Sequence, residues 1–127
     1  MPGLTVYRPA DAVETAECWK LAVSRKEPSV MVLSRQKTSA ARMSASAETL
    51  SARGAYEIAA ASAAAKATLF STGTELALAL NARAQLEAAG VPTRVVSVPS
   101  FELFAAQPDS YRPVSYTHLT LPTKRIV

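Results

Sequence analysis

Apolar positions near the start of the chain form two short runs with a helical period between them. Leu4-Thr5-Val6-Tyr7 reads as a strand, stopped by Arg8-Pro9. Asp11 and Glu14 then have the spacing of a capping box with Asp11 as the cap. Ala12, Ala16, Trp19 and Val23 follow at i, i+4, i+7 and i+11, which predicts a helix with these four on one apolar face. Arg25-Lys26 set cations at its carboxyl end, where the helix dipole favours them, ahead of Pro28. Val30-Met31-Val32-Leu33 is a continuous apolar run, the pattern of a strand covered on both faces. Strand, helix and strand joined by short connections predict a parallel pair.

The pattern then changes. From Lys37 to Ala52 the chain turns to Ser, Ala, Thr and Arg without a period, as an interdomain linker does. Gly54 to Ala59 has the length of a short strand. Ala59 to Ala65, nearly all alanine, fits either helix or loop. Ala67-Thr68-Leu69-Phe70-Ser71 reads as a buried strand, and Gly73 opens a tight turn into a helix from about Thr74 to Ala89. Leu78, Ala82, Leu86 and Ala89 share a stripe on that helix, and Gly90 stands where a left-handed residue closes it, with Pro92 beyond. Val95 to Val98 is the next strand, ended by Pro99, and Phe101 to Ala106 a short helix or turn. The fold class is α/β: a strand-helix-strand unit, a linker, then a βαβ unit, both with parallel sheets. The division runs 1–36, 37–65 and 66–113, with 114–127 set apart for the following reason.

Val114 to Thr123 reads VSYTHLTLPT, which resembles a translated sequencing adapter of the transposon-tagging kind. The adapter's flanking bases also fit Pro113 before it and Lys124 after it. The alternative is an edge strand with β-branched and aromatic alternation, ended by Pro122. A segment of foreign origin does not belong in fold reasoning. Setting it aside removes His118, the single histidine, so no histidine acid, base or metal ligand remains.

Composition narrows the remaining classes. Of 127 residues, 49% are hydrophobic, enough for a core, and 19% are charged, too balanced in sign for a disordered chain. The net charge of +4 raises nucleic acid as a partner. Its cations are scattered singly without interleaved aromatics, and Lys124 and Arg125 supply half of that net, so the sequence argues against nucleic acid. No apolar run is long enough to span a bilayer, so no membrane association is expected. A single cysteine, Cys18, excludes an internal disulfide and fits a reducing, cytoplasmic setting. With no basic partner nearby in sequence, Cys18 reads as a small apolar side chain.

Candidate chemistry concentrates at Leu33-Ser34-Arg35-Gln36. Ligands of open α/β sheets gather at the carboxyl ends of strands, and an arginine there offers a planar fork of donors to a phosphate or carboxylate. A structural salt bridge is the alternative role for Arg35. The turn Ser71 to Glu75 is a weaker candidate. It has one glycine and no G-x-G-x-x-G fingerprint, and Glu75 repels phosphate.

Two blocks carry a family resemblance. Residues 2 to 36 hold an RPxDxxE run (Arg8, Pro9, Asp11, Glu14), a Trp19-Lys20 pair and a strand ending LSRQ, and resemble the end of the transketolase pyrimidine domain. Residues 69 to 112 hold a strand, a Thr-Gly-Thr-Glu turn (Thr72 to Glu75), a helix, a Gly-Val pair, an RVVSxP strand and an Asp-x-Tyr-Arg run. They resemble the opening of the transketolase C-terminal domain. The resemblance implies ketol transfer between sugar phosphates, with thiamine diphosphate and a divalent metal (Mg or Ca) as cofactors in a homodimer. It assigns Arg35 to the substrate phosphate, with Ser34 and Gln36 supporting the loop. Arg8 and Asp11 belong to the family pattern too but read as structural, a chain turn and a helix cap. Catalytic, cofactor and metal ligands belong to segments absent from this chain, so the piece is expected to be inactive. Dihydroxyacetone synthase, deoxyxylulose-phosphate synthase and dehydrogenase E1 β-type chains share the architecture, and a free-standing α/β interaction module is the non-enzymatic alternative.

Overall fold

The computed structural model describes residues 3–42, 48–108 and 110. The adapter-like segment with His118, most of the Asp-x-Tyr-Arg run and residues 43–47 of the linker lie outside them. Strands β1 (Thr5–Tyr7) and β2 (Ser29–Met31) pair in parallel, joined by helix α1 (Ala12–Ser24). The ladder continues one step, as Val32 N–H donates to the Tyr7 carbonyl at 2.8 Å. Asp11 caps α1, its carboxylate accepting from Glu14 N–H at 2.9 Å.

Two expectations about this unit do not hold. The buried side of α1 carries Glu14 and Cys18, and the Ala12/Ala16/Trp19/Val23 stripe faces out, with Trp19 62% and Val23 72% exposed. Apolar period alone misplaces the core here because the inward side chains include a carboxylate. Such a group is buried only when donors meet it, and those donors come from distant segments. Likewise the Val30–Leu33 run is not covered on both faces: Val30, Val32 and Leu33 are all exposed in this two-stranded sheet.

A second sheet has the order β3 (Tyr56–Ala59), β5 (Thr93–Ser97), β4 (Ala67–Ser71). β4 and β5 are parallel, whereas β3 adds antiparallel to the other edge of β5. Central β5 is buried along its whole length; β4, at an edge, is half-buried rather than buried, and Phe70 is exposed. Arg94 of β5 is held across both neighbours, by Thr68 Oγ1 on β4 at 3.1 Å and by the Glu57 carboxylate on β3 at 3.3 Å. Residues 60–65 are irregular, so the alanine-rich stretch is a loop.

Between β4 and β5 the chain makes a 3-10 turn, Gly73–Glu75, and helix α2 (Leu76–Ala88). The core face of α2 is Leu76 with Ala79 and Leu80, packed against Leu69 and Val95. Of the expected stripe, Leu78 (70% exposed) and Ala89 turn away from the core, whereas Ala82 and Leu86 are half-buried. The run Leu76-Ala77-Leu78-Ala79-Leu80 is apolar all round, so its period does not choose a face. Gly90, at φ +83°, closes α2 as expected. Its N–H reaches the Glu87 carbonyl and that of Val91 reaches Leu86, the paired bonds of a Schellman motif.

Helix α3 (Phe101–Ala105), capped by Ser100, joins the two sheets. The Glu102 carboxylate accepts from Val6 N–H at 2.7 Å, and the Pro99 carbonyl accepts from Arg8 N–H at 2.7 Å. Backbone groups of and just beyond β1 are thereby satisfied by the second unit. Leu103 of α3 also completes the cluster of Tyr7 and Cys18.

Candidate functional site

Arg35 lies on the loop that leaves the carboxyl end of β2. Ser34 Oγ donates to the Gln36 carbonyl at 2.9 Å and accepts from Gln36 N–H at 3.0 Å, a local turn that puts Arg35 at its bend. The Arg35 side chain is exposed, and it belongs to none of the ion pairs formed among the described residues. It lines a hollow of about 290 Å3 with Lys37, Ser39, Thr74 and Ala77. The hollow therefore spans the two units: two cations from the β2 loop face the first turns leading into α2. A neighbouring cleft of about 800 Å3 runs past Gln36 and Leu33 to Asp11, Thr15 and Trp19 on α1.

The loop is anchored at its far end by α1. Asp11 Oδ2 accepts from the N–H groups of Ala41 and Arg42, each at 2.9 Å. The Arg42 side chain pairs with Glu17 at 2.6 Å, and its guanidinium lies 5.5 Å from the Tyr56 ring centroid. Glu17 also accepts from Ser51 N–H and Oγ. One turn back, the fully buried Glu14 accepts from Ala10 N–H at 2.9 Å, Tyr56 Oη at 2.6 Å and Ser97 Oγ at 2.5 Å. Asp11, Glu14 and Glu17, at i, i+3 and i+6, thus tie α1 to the loop, to β3 and to β5. The sequence marked Asp11 and Glu14 only as a cap; their spacing was visible, their donors were not.

Cys18 is not poised as a nucleophile. Burial, then the Glu14 carboxylate, pushes the Cys18 thiol up to about 12, so it stays protonated at neutral pH. Burial, then Glu14, likewise raises Tyr56, which remains a phenol donor. At the Ser71–Glu75 turn, Gly73 N–H already donates to the Arg8 carbonyl. Among the described residues no group of three or more His, Cys, Asp and Glu side chains is arranged to hold a metal ion. No helix among them is long and apolar enough to cross a membrane.

Residues 1–40 match the family model described as transketolase, pyrimidine binding domain, and residues 54–124 match the transketolase-like TK C-terminal domain. The chain belongs to the transketolase family. The second match runs on into the adapter-like segment. A transketolase from Rhodobacter capsulatus is 50% identical over 112 residues, covering 87% of this chain and 17% of that protein. Among solved structures, transketolase from Leishmania mexicana superposes with a TM-score of 0.81 at 38% identity, over 91% of this chain and 17% of that one. Transketolase from Pichia stipitis in complex with sedoheptulose-7-phosphate gives 0.79 at 30% identity, over 90% and 17%. A split gene transketolase, described as an inactive β4 tetramer, gives 0.70 at 25% identity, over 80% of this chain and 32% of that one. The chain therefore spans about one sixth of the full-length transketolases it matches.

Proposed function

We propose that this chain is the part of a transketolase that joins the end of the pyrimidine-binding domain (1–36) to the opening of the C-terminal domain (66–113), and that Arg35 binds the phosphate of the sugar substrate. The supporting observation is an exposed arginine at a strand's carboxyl end, beside Lys37 in a hollow that also reaches α2. Guanidinium and phosphate match as a bidentate, charge-assisted pair. A relative of the same fold was solved with a sugar phosphate, sedoheptulose-7-phosphate. In the whole protein the activity is transfer of a two-carbon ketol unit between sugar phosphates, in a cytoplasmic homodimer. Thiamine diphosphate with a divalent metal supplies the carbanion chemistry, and the protein positions the reactants.

The test is Arg35→Ala in the full-length protein. Losing a charge-assisted contact of about 1.5–3 kcal/mol corresponds to a roughly 10- to 150-fold rise in KM for phosphorylated acceptors. The phosphate is remote from the reacting carbons and is held equally in ground and transition states, so kcat changes little. Glycolaldehyde, which has no phosphate, is the comparison acceptor, and Arg35→Lys recovers part of the loss because a point charge lacks the fork. Equal loss on both acceptors would make Arg35 a structural residue.

The isolated chain is expected to be inactive and to show no saturable micromolar binding of thiamine diphosphate in calorimetry. It spans about one sixth of its relatives, and the split gene protein, a longer chain than this one, is described as inactive. Micromolar saturation would place cofactor ligands within these 127 residues and overturn that expectation.

A further inference from the structure

The loop that carries Arg35 begins on β1, where Val32 N–H meets the Tyr7 carbonyl, and ends on Asp11, which takes the N–H groups of both Ala41 and Arg42. Between these two anchors lie only eight residues, 33–40, with Arg35 among them. Asp11 is 4% exposed, and its two carboxylate oxygens have different partners. Oδ1 caps α1 through Glu14 N–H, and Oδ2 holds the loop. Helix capping needs one oxygen. The second oxygen serves the loop alone, and its two hydrogen bonds go to backbone that has no part in the helix.

We propose that Asp11 is a positioning residue for substrate phosphate recognition, acting through Arg35 by fixing the return end of its loop. A loop held at both ends presents Arg35 with less freedom left to lose on binding, and preorganisation of this kind appears directly in affinity. The inference rests on the reading of Arg35 as the phosphate-binding arginine.

Asp11→Asn in the full-length protein separates the two roles. The new amide oxygen would still cap α1, but the NH2 group would then face the two loop donors. The expected result is a KM for phosphorylated acceptors raised roughly three- to tenfold, the scale of one newly freed ordered element. The kcat with glycolaldehyde stays near that of the parent, whereas the two loop donors left facing the NH2 group lower the melting temperature. In an Arg35→Ala background the same substitution adds no further rise, because the residue through which it acts is gone. A rise that persists in that background, or one equal on both acceptors, overturns the positioning role and leaves the Arg35 reading standing. If Arg35→Ala itself fails to discriminate phosphorylated from unphosphorylated acceptors, both fall. Should Asp11→Asn not fold, Ala41→Pro removes one donor from the loop side without touching the cap. It is expected to give the same acceptor-selective rise, and an unchanged KM overturns the proposal.

Discussion

Gly54→Ala is expected to destabilise the chain by about 2–5 kcal/mol, the sum of a left-handed backbone penalty and an overpacked contact. Gly54 ends the 3-10 turn Leu50–Arg53 at φ +80°. A Cβ built there stands 2.0 Å from Phe104 N and 2.6 Å from the Leu103 carbonyl carbon. Both are backbone atoms of α3, so no rotamer change relieves the contact. The Gly54 carbonyl also accepts from Ser100 N–H, the residue that caps α3. Displacing α3 removes Glu102 from β1 and Leu103 from the Tyr7–Cys18 cluster, so the damage reaches the first unit. Urea unfolding with a shifted midpoint and an unchanged slope is the measurement. A loss under about 1 kcal/mol, within the ordinary range for point changes, would show that α3 does not pack on Gly54.

Glu14→Ala is the second large effect. It strips the acceptor from three buried donors at once: Ala10 N–H, Tyr56 Oη and Ser97 Oγ. Each orphaned donor costs about 1–3 kcal/mol, and removing one member of a buried charged network costs about 3–5 kcal/mol in total. Glu14→Gln keeps shape and one acceptor oxygen and is expected to lose less. The same denaturant titration orders the three proteins. If alanine and glutamine behave alike, within about 0.5 kcal/mol of the parent, Glu14 does not hold the two units together.

These two residues mark where the sequence stopped being informative. Strand and helix positions were legible, as was the Asp11 cap, because each depends on local chemistry within four residues. So was the Gly90 closure, whose left-handed backbone only a residue like glycine favours. The buried face of α1 was misread, and that of α2 in part. On α1 the inward face contains acids that burial tolerates only through partners up to 83 residues away; no local pattern encodes such a partner. On α2 the apolar positions run all round, and only the packing of Leu76 against Val95 chooses between them. Arg35 was legible as a cation at a strand end. Lys37 and the turn at Thr74 joined it only once the two units had been brought together.

The outward face of α1 has a spectroscopic consequence. Trp19 is the single tryptophan of the chain, it is 62% exposed, and it lines the cleft beside Asp11 and Gln36. Intrinsic fluorescence therefore reports one location, with the long-wavelength emission of a hydrated indole. Any covering of that cleft, by further chain or by a second molecule, moves the emission to shorter wavelengths without a label. Events at the opposite face of α1, where Glu14 and Cys18 are buried, leave it unchanged until the helix itself comes apart.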